Sequence, residues 1–281
     1  MPAHPDLPAY FGRIGYTGPR DPTLAVLREL CTRHLNEIPF ESLDPFLGIP
    51  VDLDPAALQA KLIEGCRGGY CQEHNAVFHD VLAAMGFSVS ALGARVVWAF
   101  KEQRAPLTHR LTLVELAGGK FIVDVGFGGF SPTEPLRLVP GIEQATPHGT
   151  YRLVREHDVF ELQLRYEDSW DAMYQFDLAP QARIDFEVAN WFTSTHPRAL
   201  FTQNLIVCRV VGKTRINLWN ANLSIRQSDG RVEQRVLADA ADLRQVLGDV
   251  MGLHLPASAE TIWARVERNL RDASPAVDMT R

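Results

Sequence analysis

At about Phe87 the apolar pattern of this 281-residue chain changes its period, from helical spacing before it to alternating spacing after it. Before that point Leu24, Leu27, Leu30 and Leu35 follow Asp21-Pro22, and Leu58, Leu62 and Ile63 follow Asp54-Pro55. An aspartate ahead of a proline supplies an N-cap and then a preset first helical residue, so two helices are expected there, the second stopped by Gly65. A third is predicted from near Cys71 through Ala76, Val77, Val81 and Leu82 to Met85, with Gly86 as its closing glycine. Beyond Phe87, strands are expected at 90–100, 108–116 and 120–125, with Gly118-Gly119 as a hairpin turn. More follow near 151–155, 159–166 and 174–178, reading as a small antiparallel barrel or sandwich. Residues 181–203 are mixed and read as a connection. Strands resume at 205–211, 215–225 and 232–237, and helices at 240–251 and 258–271 close the chain. Helices, then strands, then a smaller α/β part imply an α+β fold rather than alternating units around a parallel sheet.

Composition removes several classes of function. With 46% hydrophobic and 22% charged residues the chain has enough apolar surface to fold, which excludes disorder as its main state. A net charge of −6 argues against holding nucleic acid or an anionic membrane by general electrostatics. Residues 1–6 lack a basic stretch leading into an apolar one, and no run approaches ~18 apolar residues, so neither export nor membrane insertion is expected. The expected compartment is the cytoplasm, where thiols stay reduced. Four cysteines are too few for a disulfide scaffold, so a special role for one of them would be nucleophilic or metal-binding.

The segment Arg67-Gly68-Gly69-Tyr70-Cys71-Gln72-Glu73-His74-Asn75 concentrates the chemistry. Two glycines allow a sharp turn into a helix whose first turn holds Cys71. Unpaired N–H groups and the helix dipole favour an anion there. A thiol of pKa ~8.5 is lowered by several units in such places, or beside an imidazolium. The same N–H groups suit an oxyanion formed on a substrate that the sulfur attacks. Cys71 as a small buried hydrophobe is the alternative reading.

A thiol nucleophile needs a base and a group to orient the base. The strand at 108–116 puts His109 on the face of Leu111 and Leu113, and Phe121-Ile122-Val123-Asp124 offers Asp124 on the same face across the hairpin. A two-residue turn at Gly118-Gly119 pairs Ala117 with Lys120 and leaves the two about four residues apart, so a bulge, a wider loop or an unpaired strand end is required. A core histidine with an exposed aspartate is the competing reading. Cys66, Cys71, His74 and His79 have poor spacing for zinc, because His74 and His79 do not share a helix face. His74, three residues after Cys71, is a second candidate base. Val125-Gly126-Phe127-Gly128-Gly129-Phe130 lacks the GxxxxGK[ST] pattern and reads better as a close-approach loop than as a phosphate cradle.

Taken together, these segments resemble the arylamine N-acetyltransferase family of bacterial type. The resemblance rests on Arg67-Gly68-Gly69-Tyr70-Cys71 with Glu73 and Asn75, on Thr108-His109-Arg110, and on Asp124-Val125-Gly126-Phe127-Gly128-Gly129. Ile38-Pro39-Phe40-Glu41-Ser42-Leu43 and Pro147-His148-Gly149 with Tyr151 add to it. It runs in order to about residue 200 and more faintly beyond. Length alone suggests two domains at ~150 residues each. The resemblance instead implies three: a helical one at 1–86 with Cys71, a β-barrel at 87–190 with His109 and Asp124, and an α/β lid at 191–281. It implies a triad of Cys71, His109 and Asp124, arranged as in thiol proteases. It also implies a substrate pocket including Phe40, Thr108, Phe127 and Phe201, and an approach to coenzyme A at Gly128 and Gly129. The implied reaction moves acetyl from acetyl-CoA through Cys71 to an arylamine or arylhydrazine, with no metal, nucleic acid or membrane involved. Gln72 and His74 depart from the family by being polar, which bears on helix packing and the pocket edge. A thiol hydrolase using the same triad, and a non-enzymatic binding or scaffold protein, are the competing functions.

Overall fold

The computed structural model describes residues 5–98 and 105–272. Helices α1 (Leu7–Arg13) and α2 (Leu24–Glu37) lead to a two-residue strand β1 (Phe40–Glu41) and helix α3 (Leu43–Leu47). Helix α4 (Pro55–Leu58) continues as a wider π-type coil over Gln59–Glu64, and α5 runs Cys71–Ala84. Asp54 caps α4 as expected, its carboxylate accepting the Ala56 N–H. The start of α2 lies two residues later than predicted. Its cap is Thr23, whose hydroxyl accepts the Val26 N–H, so Asp21-Pro22 belongs to the turn before it.

Strands β2 (Ser88–Val96), β3 (His109–Leu116), β4 (Gly119–Val123), β5 (Leu136–Arg137), β6 (Glu143–Thr146), β7 (Gly149–Glu156), β8 (Val159–Tyr166) and β9 (Ser169–Pro180) form an antiparallel sheet in the order β5-β4-β3-β2-β9-β8-β7-β6. The end of the strand expected at 90–100 lies outside the described residues. The sheet curls into a nearly closed barrel. Its two edges meet through Gln144 of β6, whose side chain accepts the Arg137 N–H of β5 and donates to the Arg137 carbonyl. A nearly closed edge leaves few unpaired backbone groups.

Helix α6 (Arg183–Thr195) and the short α7 (Leu200–Gln203) follow, where a connection was expected. Then β10 (Ile206–Val211), β11 (Thr214–Trp219), β12 (Asn222–Gln227) and β13 (Val232–Val236) form a second sheet, ordered β1-β10-β11-β12-β13. Its first strand is thus borrowed from the N-terminal region. Helix α8 (Ala240–Arg244), with a π-type extension over Gln245–Val250, and α9 (Ala259–Asp272) cover it. The architecture is α+β. Among the described residues no helix is long and apolar enough to cross a membrane.

Strand β3 is buried on both faces, which positions the site. Leu111 and Leu113 enter the barrel core with Ile122, whereas Val114 joins Val123 and Val125 against Val77, Val81 and Leu82 of α5. Helix α5 is therefore held directly behind the strand that carries His109.

Candidate active site

Cys71 is the first residue of α5, with Tyr70 as N-cap. The Glu73 carboxylate reaches back to accept the Tyr70 N–H at 3.0 Å, half of a capping box. Its other oxygen pairs with Lys61 Nζ at 2.7 Å, and Lys61 also pairs with Asp44 at 2.7 Å. Arg67 Nη2 joins Glu41 at 2.6 Å to Asp44 at 2.7 Å. Burial opposes the Lys61 charge, but Glu73, Glu41 and Asp44 outweigh it and raise its pKa. These pairs tie the glycine turn to α3, β1 and the π-type coil that follows α4. Removing one partner of such a buried pair typically costs about 3–5 kcal/mol.

The hairpin between β3 and β4 resolves the register question. The turn residues are Ala117 and Gly118, so Leu116 pairs with Gly119 and Thr112 with Val123. The strands are thus two residues closer in register than a Gly118-Gly119 turn gives, with face parity unchanged. Continued past the end of β4, this register sets Asp124 opposite Leu111, on the diagonal from His109, where side chains reach each other. His109 Nε2 donates to Asp124 Oδ2 at 2.7 Å, and the two residues are only 3% and 2% exposed. A carboxylate only accepts, so Nε2 carries the proton of this bond. Cys71 helps to raise the pKa of the imidazole, and its Sγ lies 4.0 Å from the Thr108 carbonyl.

Asp124 is held from behind by Asn75, one helical turn after Cys71. Asn75 Nδ2 donates to Asp124 Oδ1 at 2.9 Å and to the Arg110 carbonyl at 2.6 Å, while its Oδ1 accepts the Val125 N–H at 3.1 Å. Those partners permit one amide orientation. The Gly126 N–H adds a second donor to Asp124 Oδ1 at 3.0 Å. Gly126 must be glycine for this approach, since an added Cβ would stand 2.7 Å from Asn75 Nδ2 and 3.0 Å from Cys71 Cα.

Burial works against a charge on His109, but Asp124 and the hydrogen bond to it, helped by Cys71, raise its pKa to about 10. Burial would raise Asp124, yet His109 and the donors from Asn75 and Gly126 bring it below its ordinary value. A charged imidazolium facing a thiol, with a carboxylate behind it, is the arrangement that makes sulfur nucleophilic at neutral pH.

Cys71 and His109 open onto a cavity of about 400 Å³. Phe40, Thr108, Phe127, Phe201, Gly128 and Gly129 all line it, so the structure brings every predicted substrate and coenzyme residue to one space, with Asp124 behind the wall. Cys208, which reads as a core filler, is also on that wall, and burial pushes its thiol up to about 12. Cys66 and His79 are not on it, and His74 turns away from Cys71 toward His34 and Pro39. Among the described residues no group of three or more His, Cys, Asp or Glu is placed to hold a metal ion.

Sequence reasoning gave no role to three residues that shape this site. Asn75 had a readable signal, because position i+4 from Cys71 shares its helix face. Arg215 of β11 donates to the Gly129 carbonyl at 2.9 Å and the Ser131 carbonyl at 2.7 Å, pinning the glycine loop to the second sheet across more than eighty residues of chain. Tyr174 of β9 packs its ring 5.1 Å from that of His109. Neither of the last two leaves a local pattern.

A family model described as N-acetyltransferase matches residues 23–260. The arylamine N-acetyltransferase of Mycobacterium bovis is 44% identical over 255 residues, covering 89% of this chain and 90% of the relative. That of Escherichia coli strain K12 is 40% identical over 250 residues, covering 89% of each. The structure of Mycobacterium marinum arylamine N-acetyltransferase in complex with CoA superposes with a TM-score of 0.89 at 41% identity, covering 94% of this chain and 99% of that one.

Proposed function

This chain belongs to the arylamine N-acetyltransferase family, and from that premise we propose that it transfers acetyl from acetyl-CoA to the nitrogen of arylamines or arylhydrazines through an acetyl group held on Cys71. The observation that carries the residue assignment is the His109–Asp124 contact at 2.7 Å beside a thiol at a helix start. In the first step the Cys71 thiolate attacks the acetyl carbonyl of acetyl-CoA. A carbon–sulfur bond forms to Cys71, the bond to coenzyme A breaks, and the departing thiolate takes the proton from His109. In the second step the acceptor nitrogen attacks the acetyl-cysteine, His109 removes its proton, and the Cys71 sulfur leaves. The imidazolium–thiolate pair is then restored. Asp124 keeps the His109 tautomer and favours its charged form.

Exchange of one thioester for another begins near isoenergetic, so positioning and proton transfer, the latter worth ~10²–10⁴-fold, can supply much of the rate. N–H groups at the start of α5 suit the oxyanion of each tetrahedral intermediate. Phe40, Phe127 and Phe201 offer faces to a planar acceptor, which gains from stacking as well as area. Gly128 and Gly129 leave room for the coenzyme A arm to pass close to backbone. A reduced thiol and a thioester donor fit a cytoplasmic setting. The test is to supply acetyl-CoA and an arylamine and follow both products. Acetylated amine should form faster than free acetate; dominant acetate release would overturn the transferase reading in favour of hydrolysis.

A further inference from the structure

Behind the nucleophile turn a second polar chain crosses the helical layer, and the transfer steps do not use it. Tyr10 Oη lies 2.9 Å from His34 Nδ1, His34 Nε2 lies 2.8 Å from His74 Nδ1, and His74 Nε2 lies 3.1 Å from the Pro39 carbonyl. All three side chains are fully buried. The last acceptor sets the direction of the whole chain. A carbonyl only accepts, so His74 Nε2–H donates and its Nδ1 is bare. That nitrogen accepts from His34 Nε2–H, which leaves His34 Nδ1 to accept from the Tyr10 hydroxyl. One tautomer of each ring satisfies every nitrogen, so the relay has a single orientation. Burial agrees with two neutral rings, pushing His74 down to about 4 and His34 well below its ordinary value.

The relay ends at the peptide that enters Phe40. Gly68 packs so closely there that an added Cβ would overlap the Pro39 oxygen. The His74 ring also lies parallel to the Phe40 ring, 6.2 Å away with 9° between planes. On its other sides Phe40 meets Phe201 at 5.9 Å and Gly128, whose added Cβ would touch the ring at 3.6 Å. Phe40 is thus set between a hydrogen-bonded imidazole and the cavity that Cys71 opens onto.

We infer that Tyr10, His34 and His74 form a relay that positions Phe40 as the acceptor-side wall, and that His74 thereby sets which aromatic acceptors the acetyl-enzyme takes. This rests on the acetyl-transfer reading for treating that cavity as the acceptor site. His74 is a positioning residue, three residues from Cys71 on the same helix but facing away from it.

The experiment separates the two half-reactions. Acetyl-Cys71 formation is followed by rapid-quench mass analysis with acetyl-CoA alone, and the acceptor KM is measured for a small and a bulky arylamine. In His74→Leu the acceptor KM should rise about tenfold, unequally for the two amines, while acetyl-Cys71 forms within about twofold of the wild-type rate. His74→Gln, which keeps an acceptor for His34 and a donor for Pro39, should return within about threefold of wild type. Tyr10→Phe, which loses only the far hydroxyl, should raise the same constant about twofold and serves if the leucine variant does not fold. An unchanged acceptor KM in the folded leucine variant, or in Tyr10→Phe where that variant does not fold, overturns the inference. So does a parallel fall of both half-reactions. Wild-type protein that never gains an acetyl group would strike at the transfer reading instead.

Discussion

Two buried imidazole sites meet the first turn of α5, and they hold different charge. His109 and His74 are both shut away from water, at 3% and 0% exposure, so desolvation penalises a proton on each. His109 nevertheless rises to about 10, whereas His74 falls to about 4. The partner makes the difference. His109 donates to a carboxylate that is itself held by Asn75 and a backbone N–H, whereas His74 sits between a second neutral imidazole and a carbonyl. Burial amplifies whichever charge state the partners favour; it does not choose the state. One helix start therefore meets a charged imidazole–carboxylate pair on one side and a neutral spacer on the other.

The sharpest way to break this contrast is to remove the carboxylate while keeping its shape. Asp124→Asn should cut acetyl-Cys71 formation by about 10⁴-fold, the order seen when a triad aspartate loses its charge. The wild-type rate should hold through neutral pH and decline as pH rises through about 10, where His109 loses its proton. The asparagine variant should lose its remaining rate at a lower pH. An unchanged alkaline limb would mean that Asp124 does not set the His109 charge.

Asn75→Ala tests the support rather than the charge. It deletes one donor to Asp124 Oδ1 and leaves the Val125 N–H and Arg110 carbonyl without their side-chain partner. The acetylation rate should drop roughly ten- to hundredfold, the scale of a slightly misplaced catalytic group, with the protein still folded by circular dichroism.

The smallest effects appear in stability against pH, where the two sites pull in opposite directions. His74 is depressed in the fold, so its contribution is present above its ordinary value near 6.5 and is lost as pH falls from there toward about 4. That contribution is on the order of 3 kcal/mol. His109 is raised, so its contribution is complete below pH 6.5 and is lost as pH climbs through about 10. Urea unfolding at a series of pH values should show a shallower acid limb in His74→Leu and a shallower alkaline limb in Asp124→Asn. Identical limbs in all three proteins would erase the contrast.

Much of this was legible from sequence because the signals are local. The glycine pair before Cys71, the Asp54 cap and the shared face of His109 and Asp124 each follow from backbone chemistry over a few residues. The separation of His109 from Asp124 was not, because a hairpin that turns one residue earlier shifts every pair by two while keeping the same face pattern. Helix α6 was hidden for another reason. Its outward side carries Ile184, Val188 and Trp191, and its inward side Asn190, Thr193 and Ser194, so the usual apolar stripe is blurred. The inward polar groups are satisfied within the fold: Asn190 donates to the Val51 carbonyl, and the two hydroxyls bond back to α6 carbonyls. Arg215 on the Gly129 and Ser131 carbonyls, and the relay from Tyr10 to Pro39, join residues far apart in sequence, and no periodicity announces them.

On the proposed route the acetyl group is carried by Cys71. Intact-mass measurement after mixing the protein with acetyl-CoA alone, followed by peptide mapping, addresses it directly. One acetyl unit should be gained at Cys71, should disappear when an arylamine is added, and should be absent from Cys71→Ala. A folded wild-type protein that gains no acetyl unit, or a Cys71→Ala variant that gains one and still passes it to the amine, would contradict it.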